Sequence, residues 1–432
     1  MIGDHMIEIV VAVLVLTLVL GVPVVFSLAT AALAGVLILE SINPAIMPQQ
    51  MLQGISRTTL LAIPCFLLAG DIMTVSGMTD RLIRLANGLF GRFRGGLAYS
   101  NVSASVLMAG VSGSAIADTS AIGRVMIPAM IKEGYGRGFS ASLTSTVNLI
   151  GPILPPSITF ILIGVLAELS ITRLFLAGVI PGLLFAVVMA VVAGRISIAR
   201  NYPIHGRVSG KEIWIRFKAA GLALAMPVLI VVGLRFGIFN VTECSAFAVA
   251  YAFFVGGFVY RTLTPKLMLE ALVRTANTTG IIFVILAGAQ ALAWLLAYEH
   301  VPQVVAELML TLTENPWIIL LILNVFLLLV GTFMEPGPSI VILIPVLYPV
   351  VSHFGIDPIQ FSVVMAMNLV IGIITPPVAV SLAITGSIAK CPSSELIREL
   401  MPFFLAAVFV VLLISYIPQL SLWLPNLVLG PG

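Results

Sequence analysis

The sequence predicts an all-α polytopic membrane protein whose two halves repeat one arrangement in opposite orientations. Of its 432 residues, 60% are hydrophobic and only 9% are charged, which is more apolar surface than a soluble domain can bury. The mean hydropathy is +1.17, and the apolar runs are continuous, whereas barrel strands would alternate with polar residues. The three cysteines are widely spaced, so no disulfide framework is indicated.

Ten segments are predicted to span the membrane. They lie at 7–22, 23–40, 60–77, 139–167, 174–192, 219–237, 243–260, 277–297, 361–389 and 401–421. Two more apolar segments, 97–131 and 316–351, are each too long for one span and are interrupted by polar or Gly-Pro residues. Both are predicted to be re-entrant helical hairpins. The first apolar run follows no basic stretch, so it is predicted to be a retained helix rather than a signal peptide.

Lysine and arginine concentrate in five segments between these spans. The segments 78–96, 132–138, 193–218, 261–275 and 390–400 hold 4, 2, 6, 3 and 2 of them, 17 of the 21 in the chain. All five fall on one side, which the positive-inside rule makes cytoplasmic. Both termini are then predicted to be periplasmic, the first hairpin to open inward and the second to open outward.

The two halves carry matching motifs at a nearly constant offset along the chain. MLQGISRTTLLAIPCFLLAG from Met51 matches MLEALVRTANTTGIIFVILAG from Met268. NLIGPILPPS from Asn148 matches NLVIGIITPPV from Asn368 at almost the same offset. Because the predicted topology inverts one half, the chain has the inverted repeats and paired broken helices of secondary transporters, whose sites lie between the repeats at the midplane.

The prolines in both motifs remove backbone donors. Each proline leaves the carbonyl four residues earlier without its helical partner. The carbonyls affected are those of Asn148, Gly151, Pro152, Gly372 and Ile373. In hydrocarbon an unpartnered carbonyl costs several kcal/mol. A dehydrated sodium ion, which prefers oxygen ligands, is one partner that satisfies it, and neighbouring helices or water are the other.

The predicted hairpin tips combine glycines with hydroxyl groups. The first is SGSAIAD, Ser112 to Asp118, and the second is GTFMEPGPS, Gly331 to Ser339. The helices that begin after the tips and after the double prolines direct their positive dipole ends to the midplane, where an anion binds well. No lysine or arginine is predicted there, and Asp118 and Glu335 are the nearest carboxylates. Asp118 either serves the site or caps its own helix. The predicted substrate-binding residues are Ser112, Ser114, Asp118, Pro156, Ser157 and Thr375.

An enzyme is the remote alternative. GVSG, Gly110 to Gly113, matches the short G-x-S-G motif of rhomboid-type intramembrane proteases, but a serine nucleophile needs a base. The histidines all lie in predicted loops or at termini, at His5, His205, His300 and His353. No lysine lies in a predicted span either, so the sequence predicts no catalysis.

Five longer motifs together resemble the large membrane subunit of tripartite ATP-independent periplasmic (TRAP) transporters. They are GVSGSAIADTSAIG, KEGYGRGFSASLT, NLIGPILPPSITFILIG, NVTECSAFAVAYA and NLVIGIITPPVA. The resemblance covers essentially the whole chain. It implies a sodium-driven importer in the bacterial inner membrane that works as an elevator, with a small four-helix membrane subunit and a periplasmic substrate-binding protein as partners.

The resemblance also implies two sodium sites. Carried over by position, the first comprises Ser112, Gly151, Leu154 and Pro156, and the second comprises Gly331, Thr332, Gly372, Thr375 and Val378. The family's substrates are small organic anions: C4-dicarboxylates, sialic acid, other carboxylates, and sulfonates such as isethionate. Some sialic acid importers carry Arg where this chain has Tyr298, which weakens that choice. A stand-alone sodium/anion symporter of similar fold, without a binding protein, is the alternative.

The domain division expected from the repeats and the resemblance has six parts. They are N-terminal scaffold helices 1–59, the first repeat 60–192, a cytoplasmic linker 193–218, scaffold helices 219–275, the second repeat 276–400 and a C-terminal helix 401–432.

Overall fold

A computed structural model describes residues 6–39, 42–90, 93–204 and 209–430, and these are helical apart from turns and one isolated bridge between Arg94 and Ile204. The helices are α1 (Met6–Val19), α2 (Val24–Ile38), α3 (Ile46–Ile55), α4 (Ala62–Val75), α5 (Met78–Phe90), α6 (Gly96–Ser112), α7 (Ala115–Lys132), α8 (Arg137–Val147), α9 (Ile158–Leu166), α10 (Ile171–Ala199), α11 (Gly210–Arg235), α12 (Val241–Phe254), α13 (Pro265–Tyr298), α14 (Val301–Leu312), α15 (Pro316–Phe333), α16 (Pro336–His353), α17 (Pro358–Gly372), α18 (Val380–Ala389), α19 (Ser393–Tyr416) and α20 (Gln419–Leu429). Short 3₁₀ turns precede α4 (Thr58–Leu61) and follow α8 (Asn148–Ile150), and a π-helical turn (Val255–Val259) follows α12.

Eight helical segments in the described part of the chain are long and apolar enough to cross a membrane. Six of them coincide with predicted spans, and the other two are α15 and α16, the arms of the second hairpin. The first two predicted spans form shorter helices, α1 with 14 residues and α2 with 15. The fold is therefore an all-helical membrane protein, as the composition predicts.

Both predicted hairpins and both predicted broken helices are present. The pair α6–α7 is interrupted only at 113–114, and the pair α15–α16 only at 334–335. The segment 151–157 separates α8 from α9, and the segment 373–379 separates α17 from α18. The peptide bonds Pro155–Pro156 and Pro376–Pro377, one in each break, are cis.

The helices pack as two groups. The scaffold group is α1–α4 with α11–α13, and the hairpin group is α6–α10 with α15–α20. Packing within each group follows the repeat. In the scaffold group, the contact of α4 with α12 is equivalent to that of α13 with α2. In the hairpin group, the contact of α7 with α18 is equivalent to that of α16 with α9. The helices α5 and α14 contact both groups. Each broken helix thus completes its packing on the hairpin of the other repeat.

Much of the basic sequence predicted to form loops is helical, which corrects the sequence analysis. Most of 78–96 is α5, whose apolar face is buried. The linker 193–218 shrinks, because α10 continues to Ala199 and α11 begins at Gly210. The Thr264 side chain caps the start of α13 by accepting from the Leu267 N–H, so this helix runs through most of 261–275. Its 34 residues span about 51 Å, whereas a hydropathy pattern marks only the ~30 Å inside the bilayer. The six domain boundaries stay a prediction.

The predicted sidedness can be checked by labelling single cysteines in a cysteine-free background. Ser209 caps the start of α11 on the predicted cytoplasmic face, and Gly430 follows α20 on the predicted periplasmic face. In intact cells an impermeant maleimide should label Gly430→Cys, whereas Ser209→Cys should react only after the membrane is opened. Labelling of Ser209→Cys in intact cells would contradict the predicted topology and indicate the opposite orientation.

Candidate functional site

The tip of the first hairpin lies against the first helical break. Ser112 Oγ donates to Asp118 Oδ1 at 2.5 Å, and the Ser114 N–H donates to Ser112 Oγ at 3.2 Å. Gly113 ends α6 with φ +61°, and a Cβ there would lie 2.6 Å from the Pro156 carbonyl oxygen. Only glycine accommodates both the backbone angle and this close approach.

Asp118 is buried where tip and break meet. Its Oδ2 atom has no hydrogen-bond partner within the described residues, and a Cβ at Gly151 would lie 2.6 Å from that oxygen. Ser114, not Asp118, caps α7, because Ser114 Oγ accepts from the Ala117 N–H. Helix capping therefore does not account for the position of Asp118. A buried carboxylate whose second oxygen has no partner among the described residues, next to the backbone of the break, is suited to bind a cation.

Most carbonyls expected to lack partners have found new donors, which corrects part of the sequence argument. The Asn148 carbonyl accepts from the Gly151 N–H at 3.2 Å, and the Gly372 carbonyl accepts from the Thr375 N–H at 2.9 Å. The other two replacements are Ser157 Oγ on the Pro152 carbonyl and the Ser381 N–H on the Ile373 carbonyl. Of the five, only Gly151 lacks a donor in the described part of the chain.

The first break nevertheless presents an oxygen cluster. Over the described ranges, no hydrogen bond reaches the carbonyl oxygens of Gly151, Leu154 or Pro156. These three residues and Ser112 are the set that the family resemblance assigns to the first sodium ion. Free carbonyl oxygens beside a hydroxyl suit a hard monovalent cation, and no group of three or more His, Cys, Asp or Glu in the described residues competes as a metal site.

At the second tip two glycine backbones touch. A Cβ at Gly372 would overlap the Gly331 carbonyl, and a Cβ at Gly331 would lie 2.9 Å from the Leu369 backbone. The hydroxyls of Thr332 and Thr375 donate to the carbonyls of Leu328 and Ile371, each at 2.9 Å, and their oxygens keep lone pairs for a ligand. A cavity of about 40 Å³ beside this contact is lined by Gly331, Thr332, Phe333, Met334, Glu335, Gly372, Ile373, Val378, Ala379 and Val380.

Buried asparagines fix each break against its hairpin. Ser105 Oγ donates to Asn148 Oδ1 at 2.8 Å, and Asn368 Nδ2 donates to Asn324 Oδ1 at 2.7 Å. Both asparagines of the breaks also donate to the carbonyl four residues earlier in their own helices. Ser105 and Asn324 lie outside the motifs that predicted the site, although the two stand at nearly the offset that relates Asn148 to Asn368.

A cavity of about 270 Å³ lies between the two tips and the scaffold helices α4 and α13. Its polar lining groups are Ser114, Thr159, Thr278 and Glu335, and none of its lining residues is lysine or arginine. Of the six predicted substrate residues, only Ser114 lines it. The Ser157 hydroxyl is used at the start of α9, where it accepts from the Phe160 N–H at 3.1 Å.

Ser112 and Asp118 line a second cavity of about 400 Å³ between α7 and the scaffold group. Arg124 and Arg274 line the same cavity, so cationic groups come closer to the first tip than the sequence predicts. Arg274 was expected in a loop, and it is the continuation of α13 that brings it here. It lies 3.5 Å from Asp71 on α4.

Comparison with known proteins shows which family has this sequence. The family model for the tripartite ATP-independent periplasmic transporter, DctM component, matches residues 11–420. The chain belongs to this family. The sialic acid TRAP transporter large permease SiaM of Vibrio cholerae is 39% identical over 95% of this chain and 96% of its own length. The C4-dicarboxylate TRAP transporter large permease DctM of Pseudomonas aeruginosa is 38% identical over 85% of this chain and 86% of its own length.

The fold alone is shared more widely. The YdaH transporter of Alcanivorax borkumensis superposes with a TM-score of 0.66 at 14% identity, over 88% of this chain and 89% of that one. As a TRAP large permease, the chain is a multi-pass transporter subunit for organic acids that works with a small subunit and a substrate-binding protein. Because the members of this family are transporter permease subunits, the chain is not an enzyme. Ser112 of the GVSG motif donates to Asp118. His300 follows α13 and His353 ends α16, while His5 and His205 lie outside the described residues.

The glycine contact at the second tip gives a sharp test. Gly372→Ala should reduce uptake at least about tenfold, because overpacking a tight contact costs ~1–3 kcal/mol and here moves the tip away from the break. Gly221→Ala on α11 is the matched control, since a Cβ there also meets nothing within 4 Å and the residue lines none of the cavities described above. Both variants should be assayed at equal membrane levels with a monodisperse elution profile. Unchanged uptake by a correctly folded Gly372→Ala variant would contradict this role for the contact.

Proposed function

We propose that this subunit imports a small organic carboxylate by sodium-coupled symport, with an elevator movement of the hairpin group. The observation that carries the proposal is that each junction of a helical break with a hairpin tip contains oxygens that no hydrogen bond among the described residues reaches. At the first break these are the carbonyls of Gly151, Leu154 and Pro156 beside Ser112. At the second they are the carbonyls of Gly331 and Val378 beside Thr332.

Sodium is the ion best matched to these donors. Neutral carbonyl and hydroxyl oxygens favour a hard cation, and a cavity of about 40 Å³ admits a dehydrated monovalent ion but no organic solute. In this proposal one ion binds at each tip–break junction, held by the two residue sets carried over from the family. An ion bound at a junction holds the hairpin tip against the helical break. Ion binding is thereby coupled to the conformation of the cavity between the tips.

The substrate proposal rests on the cavity of about 270 Å³ between the tips. The helix α16 begins at its edge, and the residue preceding it, Glu335, makes no side-chain cap. Pro336 and Pro338 have no N–H, and the Ser339 N–H donates to the Glu335 carbonyl at 3.2 Å. The Gly337 N–H is therefore the first-turn donor that α16 offers to a carboxylate. The two relatives above are named for sialic acid and for C4-dicarboxylates, which supports a carboxylate as the proposed substrate.

The packing of the helices supports an elevator movement. The cavity between the tips is lined by both groups of helices, so sliding one group past the other carries the site relative to the membrane. The helices α5 and α14 belong to neither group and contact both, and they are placed to act as the links. Both termini are periplasmic in this proposal, and the membrane is the bacterial inner membrane.

Delivery by a binding protein follows from the absence of a cationic clamp among the lining residues of the central cavity. Bidentate arginine–carboxylate pairs give free-standing sites tight anion recognition, and helix ends with hydroxyls are weaker. The small four-helix subunit and the periplasmic binding protein are the proposed partners.

One uptake assay tests ion and delivery together. The purified membrane subunits are placed in liposomes, and uptake of micromolar carboxylate is measured with a sodium or a potassium gradient, with or without the binding protein outside. We expect uptake only with sodium and binding protein together, with a Hill coefficient for sodium above one. Equal uptake with a potassium gradient would refute sodium as the coupling ion. Robust micromolar uptake without the binding protein would instead favour the stand-alone symporter.

A further inference from the structure

Arg57 of the scaffold group holds the end of α9 in the hairpin group. Its Nη1 atom donates to the Val165 carbonyl, and its Nη2 atom lies 3.4 Å from Glu168 Oε1. The N–H groups of Ala167 and Leu169 serve the carbonyls of Ile163 and Gly164, which leaves the Val165 carbonyl to Arg57. A cation at a helix C-terminus also interacts favourably with the helix dipole.

The inverted repeat relates this contact to a second place in the chain. Arg57 corresponds to Arg274 at the same offset that relates Met51 to Met268, and α9 corresponds to α18. Just after these helices, Glu168 and Lys390 both have positive φ, +57° and +50°. If both halves were arranged alike, Arg274 would hold the end of α18.

It does not, and the reasons are visible in the side chains. Arg274 lies 3.5 Å from Asp71, and Asp71 also accepts from Thr275 Oγ at 2.9 Å, all within the scaffold group. The repeat position of Asp71 is Gly288, so Arg57 has no such partner on α13. Lys390 places a positive charge where the first repeat has Glu168, so the residue after α18 offers Arg274 no carboxylate.

The packing shows the same asymmetry. The helix α4 packs on α9, whereas no comparable packing joins α13 to α18 in the described residues. On the Arg274 side the cavity of about 400 Å³ opens between the groups and reaches Ser112 and Asp118. The end of α9 is therefore held against the scaffold group at Arg57, whereas Arg274 borders the cavity. The two groups also meet where α4 packs on α6 and α13 packs on α16.

We propose that Arg57 is a one-sided latch that stabilises this arrangement of the two groups. The latch rests on the proposed elevator function, because only movement between the groups breaks it. When the hairpin group moves, α9 leaves Arg57 and both contacts are lost. The second repeat supplies no replacement, since Asp71 retains Arg274 and Lys390 offers it no carboxylate. The sequence difference between the repeats thus biases the equilibrium toward the state in which the cavity beside Arg274 is open.

Distance measurements between the groups test the latch. Spin labels at Gln53→Cys on α3 and Leu427→Cys on α20, both exposed, are introduced into a cysteine-free background in lipid nanodiscs. Two distances are expected, with their ratio set by sodium and substrate. Arg57→Ala should move the ratio about threefold to tenfold away from the latched state, the range expected for a charge-assisted contact at a partly exposed site.

The repeat supplies the matched variants. Arg274→Ala removes the equivalent arginine, whose contact stays inside the scaffold group, and should not lower the latched population. Glu168→Lys copies the second repeat at a side chain that is 77% exposed, so it should fold normally and shift the ratio in the same direction as Arg57→Ala.

The outcomes separate the latch from the function on which it rests. Two distances whose ratio is unchanged by both Arg57→Ala and Glu168→Lys would overturn the latch and leave the elevator standing. A single distance under all sodium and substrate conditions would overturn the elevator, and the latch with it.

Discussion

The structure depends on the close approach of two backbones at each junction of a hairpin tip with a helical break. At the second junction Gly372 lies directly on the Gly331 carbonyl, and at the first Gly113 lies on the Pro156 carbonyl. Side chains would separate these stretches of backbone, and backbone at membrane depth is stable only where protein or an enclosed ligand satisfies its polar groups. The glycines, the prolines and the buried asparagines all serve this one constraint.

The asparagines explain why the two junctions are alike. Asn148 accepts from Ser105, and Asn368 donates to Asn324. Each pair joins the last turn before a break to the first arm of the hairpin, so the tip cannot slide along the break. Oxygens that no donor reaches are left at fixed positions, which is what a site for a dehydrated ion requires.

The fold was largely predictable, since apolar length, basic segments and the repeat offset mark the helices, the hairpins and the breaks. The predictions that were wrong concern local structure. Proline removes one donor in a fixed position, but the sequence does not show that the Thr375 N–H turns back to the Gly372 carbonyl or that Ser157 Oγ reaches Pro152. Hydropathy likewise misses helix beyond the bilayer, so it placed Arg274 in a loop when α13 brings it to the cavity beside Asp118.

The lining of the central cavity was the hardest feature to predict, because it depends on how the two groups face each other. Ser114 was predicted as a substrate residue and lines this cavity, whereas Thr278, which no motif indicated, reaches it from α13 of the other group. The same interface carries the asymmetry between Arg57 and Arg274, which no motif in either half reveals. Two nearly matching repeats thus form matching junctions within the hairpin group and unlike contacts across to the scaffold.

Direct measurement of sodium binding tests the central claim, that each junction holds one ion. Equilibrium binding of radioactive sodium to the purified protein should saturate at two ions per chain. Ser112→Ala should leave only the second ion and Thr332→Ala only the first, because each removes a hydroxyl from one junction, and potassium at the same concentration should not compete. No saturable binding, or two ions retained in both variants, would contradict the account.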